Sequence, residues 1–489
     1  MPQSNETDWI VQVNESLKAM TSDDQQHWGK RSIYKAPGRR TNLNREAYQP
    51  LAVSFGPYHH KKYPHLLPVE EHKHRALLHF LKRSGKPFEC FLESLREVEE
   101  DLAASYEALD PEWKVGSGEG TASNFLQLMI TDGCFMLEIL RTRTEEVNDY
   151  EPNDPIFSNH GKFYVSLVIE RDMLLLENQL PMLVLDRLVA VCGDMKEDNY
   201  INRLILNFYF PSANNPTMGK CLDDLDLRRK RTPMDTKKKD KGKNEDSEEG
   251  KNKDSPSANN PTMGKCLHVL DVYRKSMLME TKKKDKGKNK DSEEGKNKDS
   301  EEGKNEDSED LLLPATELHE HGVQFEVNDT NSLKNVSFAS GVLRLPKFLV
   351  EDDTESIFLN LIAFELSHVG AGSEVMSYIC FMDNIIDKGR DVALLRAVGI
   401  IHNYMESDEA AAKLFNSLGK DLMLDCDSSL RGVMNDVKEY CKKRRHMWRA
   451  NLMHTHFRNP WVILSLIAAV VLFGLTAIQT VYAVLSYKK

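Results

Sequence analysis

Catalytic signatures are missing from this 489-residue chain. It contains no G-x-S-x-G elbow, no kinase set and no dinucleotide-binding G-x-G-x-x-G, so the commonest enzyme chemistries lack their sequence frame. The eight cysteines, Cys90, Cys134, Cys192, Cys221, Cys266, Cys380, Cys426 and Cys441, form no C-x-x-C pair and no metal-ligand spacing, and they read as reduced thiols. Histidines gather at His59, His60, His65, His72, His74 and His79, but the order Glu71-His72-Lys73-His74 is not the H-E-x-x-H that places two imidazoles on one helical face. Neither a metal nor a cofactor is expected. A basic excess is also absent: the formal charge of −11 gives no reason to expect nucleic acid as a partner. The opening MPQSNETDWIVQV lacks the basic start and apolar run of a secretory leader.

What the chain does have is an apolar C-terminus, uncharged from Trp461 to Tyr487. Its length predicts one transmembrane helix over 461–487, with Trp461, Tyr482 and Tyr487 at headgroup depth and Gly474 and Gln479 within the span. Lys442, Lys443, Arg444, Arg445, Arg449 and Arg458 precede it, and such a basic flank predicts a single-pass protein whose bulk is cytosolic and whose juxtamembrane segment touches anionic lipid. Which membrane is left open. So is self-association, since Ser465 and Ala469 form only one small-xxx-small pair.

A tandem duplication interrupts the middle. PSANNPTMGKCL begins at Pro211 and again at Pro256, and TKKKDKGKN at Thr236 and again at Thr281, both offset by 45 residues. The lysine-, acid- and glycine-rich copies carry too few apolar groups for a core, which predicts a mostly disordered, low-complexity insert over 211–310 and excludes a solenoid. Only the second copy continues into a helical pattern, Cys266-Leu-His-Val-Leu-Asp-Val-Tyr273; the first reads Cys221-Leu-Asp-Asp-Leu. The chain is therefore divided into an N-terminal segment 1–30, a helical domain in two parts over 31–210 and 311–445, the insert between them, a basic segment 446–460 and the span.

Elsewhere the period is helical. Phe163 to Cys192 is apolar nearly all round, and Pro181 predicts two helices meeting there, with Asn178 or Gln179 satisfying free amides at the second start. Ile357, Phe358, Leu361, Ile362, Phe364 and Leu366 mark one further apolar face, and Val392, Leu394, Leu395, Val398, Ile401 and Tyr404 another. Short extended pieces are expected at Ile33–Tyr34, Val323–Val327 and Phe338–Leu345. The fold class is mainly α, with a few short strands. Asp172 and Glu177 are candidate acid and base, but capping and buried hydrogen bonding suit them better; Glu71 is expected to pair with Arg75 one turn on.

Four phrases now become informative: Ser54-Phe-Gly56-Pro57-Tyr58-His59-His60, Glu71-His-Lys73, Asp132-Gly133-Cys-Phe-Met-Leu-Glu138 and Asp172-Met-Leu-Leu-Leu-Glu177-Asn178-Gln179-Leu-Pro181. With Gly341-Val-Leu-Arg-Leu-Pro346, Asn360-Leu-Ile-Ala-Phe-Glu365 and Asn459-Pro-Trp461, they closely resemble the plant family called domain of unknown function 247. That resemblance implies a mostly helical protein with a C-terminal membrane helix and no assigned reaction. It also brings in self-incompatibility between pollen and stigma, a role in which some grass members are implicated.

Two function classes remain. The favoured one is a membrane-tethered recognition, signalling or scaffold protein with an unidentified protein partner. The other is an enzyme using Glu70, Glu71, Asp172 or Glu177. A pollen–stigma determinant is the narrower form of the first.

Overall fold

Pro68 in the first turn and a left-handed Gly85 just past the last fix the ends of the helix Leu67–Ser84, since proline has no amide to lose there and glycine takes positive φ without strain. Ala76, Leu77 and Phe80 form its buried stripe. The computed structural model describes residues 29–42, 44–113, 121–144, 146–193, 199–210, 263–279, 312–328, 332–422, 429–443 and 460–487, with a few isolated positions besides. They fall into two compact units, Met1–Thr281 with Asp353–Val375, and Lys282–Asp352 with Met376–Lys489.

In the first unit the helix Thr121–Arg143 is the centre: Phe125, Met129, Ile130, Phe135, Met136, Leu137 and Leu140 are all at or near zero exposure. Against it pack Leu67–Ser84, Phe88–Arg96, Met182–Cys192 and Tyr200–Tyr209. Close approach to Met182–Cys192 requires Gly133, where an added Cβ would lie 2.6 Å from Leu188 Cδ1 and 2.9 Å from Val184 Cγ1. The unit also holds Ser166–Asp172, Val269–Leu278 and Thr354–Ser367. The helices around Pro181 do not abut: one ends at Asp172, a 3-10 turn covers Leu176–Asn178, and the next begins at Met182. Leu366, assigned to a core face, is 50% exposed because Thr354–Ser367 ends at the next residue. Ile33 extends only to an isolated bridge with Tyr106.

The second unit carries the strands β1 Gln324–Val327, β2 Ser337–Ala339, β3 Val342–Leu345, β4 Phe348–Val350 and β5 Ile401–Asn403. β3 lies between β1, parallel to it with Gln324 opposite Val342, and β2, antiparallel. The stretch Phe338–Leu345 is thus a hairpin and not one strand, because Ser340 and Gly341 both take positive φ. β4 and β5 pair in parallel, and Phe348 of β4 packs between the rings of Tyr378 and Phe415. The apolar face read through Val392 to Tyr404 is a helix only over Gly389–Val398; left-handed Gly399 ends it and Ile401 enters β5. Asp391, almost fully buried, accepts from the Asp387 and Lys388 amides and from the amide and hydroxyl of Thr316, which joins that helix to Ala315–Glu320.

The chain is mainly helical, as its periodicity predicts, but the membrane reading is corrected. A helix does form over Pro460–Tyr487, yet among the described residues no helix is long and apolar enough to cross a membrane. Trp461, Gly474, Gln479, Tyr482 and Tyr487 lose the role of anchor, and the single-pass cytosolic placement and the lipid partnership fall with it. Lys442 closes the helix Ser429–Lys442 and Lys443 follows it. Arg444, Arg445, Arg449, Arg458 and nearly all of the 211–310 insert lie outside the described residues.

Replacing Gly133 by Val is expected to lower unfolding free energy by about 1–3 kcal/mol through overpacking. The control Gly432→Ala, in a helix with nothing within 4 Å of its Cβ, is expected to be neutral or stabilising by about 0.5–1 kcal/mol. Urea titrations of both variants provide the check.

Candidate functional site

A loop with no sheet partner runs through the first unit at residues 50–60, and Val53, Phe55 and His59 on it are at or below 2% exposure. Buried amides and carbonyls need partners. Here side chains supply them. The Asp172 carboxylate accepts three consecutive backbone amides, those of Leu51, Ala52 and Val53, at 2.7–3.0 Å. Asn178 accepts from the Phe55 amide at 2.7 Å and donates to the Val53 and Asp172 carbonyls. Asp132 Oδ2 accepts from the Gly56 amide at 2.8 Å, and the fully buried Lys73 donates to the Ser54 carbonyl at 2.6 Å.

Lys73 also holds Glu70 at 2.7 Å and Asp132 at 2.8 Å, a compact cluster of one cation and two carboxylates. Burial pushes Asp132 up to about 6, against the pull of the Lys73 ammonium and of the Gly56 amide. Asp172 is likewise raised by burial, opposed by the three amides and by Arg171, whose Nη1 lies 2.9 Å away. Gly56 permits the sharpest step of the loop: its φ is +69°, and a Cβ there would stand 2.9 Å from the Tyr106 hydroxyl and 3.0 Å from the Gln179 carbonyl.

Glu177 faces the far end of the loop. Its Oε1 accepts the Ala36 amide at 2.9 Å, and its Oε2 is 3.5 Å from His59 Nε2, close but not hydrogen-bonded. Among the described residues neither ring nitrogen of His59 has a hydrogen-bond partner, and burial, aided by Lys62, lowers its pKa to about 4. The imidazole is therefore neutral near pH 7. Tyr58 donates to the Glu107 carbonyl. Beyond them the chain turns outward through Lys61, which takes a φ of +52°, and Lys62, Tyr63 and His65 carry an exposed or half-buried surface on which the Tyr63 and His65 rings are 5.6 Å apart, with the buried His59 ring 5.8 Å from Tyr63.

The quoted motif residues Gly56, Pro57, Tyr58, His59, Lys73, Asp132, Gly133, Asp172, Glu177, Asn178, Gln179 and Pro181 thus lie in or around one loop of one unit. Glu71 is set apart. It is exposed, and Arg75, expected to pair with it, binds Asp154 at 2.9 Å instead. Nor do Asn178 or Gln179 cap the helix that starts at Met182. Pro181 precedes it with no side-chain cap, and Gln179 Oε1 accepts from the Leu270 amide, in the first turn of Val269–Leu278. Asn360, quoted only as part of a phrase, belongs with this polar set, since it accepts from Leu176 N–H and donates to the Ala47 carbonyl. Its signal was a lone amide among Leu359, Leu361 and Ile362. The i, i+3 spacing of Glu70 and Lys73 was the other missed sign. No group of three or more His, Cys, Asp or Glu side chains among the described residues could hold a metal ion.

The family model described as DUF247, plant protein of unknown function, matches residues 33–475. The chain belongs to this family. Its curated relatives include the UPF0481 protein At3g47200 of Arabidopsis thaliana, 29% identical over 93% of this chain and 86% of that protein. The putative UPF0481 protein At3g02645 of the same plant is 23% identical over 97% of this chain and 94% of its own length. No solved structure matches. The DUF247 chain thus has its motif at a loop whose interior backbone would otherwise be unpaired.

Lys73→Met leaves Asp132 buried without its cation, and a loss of about 3–5 kcal/mol is expected; Lys73→Met with Asp132→Leu should lose less than the two single variants together, measured as a double-mutant cycle in denaturant. His59 supplies a pH test. Unfolded imidazole takes its proton near 6.5 and the folded one only near 4, so the unfolded chain binds more protons between these values and stability rises with pH across that window. Relative to His59→Gln, the natural chain is expected to gain up to about 3 kcal/mol from pH 4 to 6.5, read from melts at each pH.

Proposed function

We propose that this DUF247 protein works by binding a protein partner and not by catalysing a reaction. The observation that carries the reading is that three of the four candidate carboxylates are already engaged, while the fourth, Glu71, stands apart from them on the surface. Asp172 holds three loop amides, Glu177 holds the Ala36 amide, and Glu70 is paired with Lys73. A general acid or base must reach a substrate proton, and groups bound to their own backbone in the interior are poorly placed to do so. What the clamp does provide is a rigid base for the outward turn Lys61–His65, where two lysines, Tyr63 and His65 form a basic, aromatic surface. Tyrosine beside positive charge suits an acidic protein segment, because the ring contributes contact area at low entropic cost and the lysines steer association.

The narrower role as a pollen–stigma recognition determinant rests on the family resemblance, and no residue described above favours it. Signalling and scaffolding are forms of the same binding function.

Affinity capture with the full-length chain from plant tissue tests the proposal when run beside Lys61→Glu/Lys62→Glu/Tyr63→Ala. Lys61 and Lys62 are exposed and Tyr63 is half-buried, so the variant is expected to melt within a few degrees of the natural chain and to lose its partner at least tenfold. Equal recovery of every partner by both chains would overturn the assignment to this turn, and turnover of a small molecule abolished by Glu70→Gln or Glu177→Gln would overturn the binding function itself.

A further inference from the structure

The second copy of the duplicated sequence has a defined seat in the first unit. Leu267 O accepts from the Met182 amide at 2.7 Å, Leu270 N–H reaches Gln179 Oε1, and Cys266, Val269, Leu270 and Val272 are buried. His268, 1% exposed, caps the helix Val269–Leu278 by accepting from the Asp271 amide, while its Nε2 lies 3.0 Å from the Ser32 carbonyl. Arg274 binds Glu365 at 2.7 Å and Glu374 at 2.5 Å, Lys275 binds Asp271 at 2.8 Å, and the Tyr273 ring stacks on Phe210.

Nearly the same recognition elements stand 45 residues earlier in the sequence. Gly219, Lys220, Cys221, Leu222, Leu225, Asp226, Arg229 and Lys230 repeat Gly264, Lys265, Cys266, Leu267, Leu270, Asp271, Arg274 and Lys275, and Leu227 replaces Val272. The departures are few and each falls where the seat is demanding. Asp223 and Asp224 stand for the buried His268 and Val269, Arg228 for the stacked Tyr273, Arg231 and Thr232 for the buried Ser276 and Met277, and Pro233 for the last helical residue, Leu278. A carboxylate in place of Val269 would be buried without a partner, and one in place of His268 would lose the bond to Ser32.

We propose that this seat tells the two copies apart at those few positions alone, so that Cys221–Lys230 is held out by them and becomes an alternative occupant once they are restored. The linker permits it. Phe210 stacks on Tyr273 at one end of the seat, and the chain between Phe210 and Cys221 can extend to about 35 Å, whereas Cys266 to Tyr273, three extended steps and one helical turn, spans at most about 16 Å. Exchange moves 45 residues of mostly charged chain from the connection before the seat to the connection after it, without altering what the seat itself binds. Residues 221–230 lie outside the described residues.

Thiol alkylation of the native full-length chain, with peptide mapping, reads the occupant. Cys266 is buried and its pKa is pushed to about 11, so in the natural chain it should label far more slowly than Cys221. Asp223→His/Asp224→Val/Arg228→Tyr/Arg231→Ser/Thr232→Met/Pro233→Leu repairs the first copy while leaving the second intact, so folding is preserved whichever copy docks. Cys266 is then expected to label within about threefold of Cys221, as two comparable occupants share the seat. Adding His268→Asp/Val269→Asp/Tyr273→Arg should reverse the natural pattern, with Cys221 protected at least tenfold. Unchanged protection of Cys266 in the repaired chain, or loss of protection at both cysteines in the reversed chain, would overturn the proposal.

Discussion

The structure of the first unit depends on satisfying the backbone of an interior loop that has no strand beside it. From Leu51 to Gly56, amides and carbonyls are met by Asp172, Asn178, Asp132 and Lys73. Each of these belongs to a different place in the sequence, and each reaches the loop from an element fixed by its own apolar packing. An unpaired buried amide costs about 1–3 kcal/mol, so the loop is stable inside the protein only with all of its partners present. That accounts for so many polar side chains at or near zero exposure beside Phe55, Phe125 and Phe135.

The same constraint explains why the motif looked ambiguous as sequence. An acid-x₄-acid pattern such as Asp172 and Glu177 is compatible with a catalytic pair or with caps, because local spacing does not say which groups lie opposite. The helices were legible in part: the apolar face read through Ile357 to Leu366 falls within Thr354–Ser367, and the one-turn spacing of Glu71 and Arg75 falls within Leu67–Ser84 although the pair does not form. Pro181 marked a helix start, but the amides expected to cap it went to Phe55 and Leu270, which are distant in sequence. β4 and β5 were missed because each is three residues long and gains its identity only by pairing with the other. The C-terminal apolar run was legible as a helix, while a membrane role was an inference from length and flanking charge.

The duplication reveals how the seat of the second copy discriminates. Most of a copied segment can be retained without competing for its original place once a handful of positions change, provided these are the buried ones. His268 and Val269 are such positions: one needs a neutral ring beside Ser32, the other an apolar side chain. Sequence identity along PSANNPTMGKCL therefore says less about docking than the residues just after it.

Native-state hydrogen exchange at the amides of Leu51, Ala52, Val53, Phe55 and Gly56 tests the central claim most directly. Side-chain acceptors that hold the loop as firmly as a helix predict exchange as slow as that of the buried turns of Thr121–Arg143, through openings close to global unfolding. Exchange of these amides at the rate of exposed loops, while that helix stays protected, would contradict it.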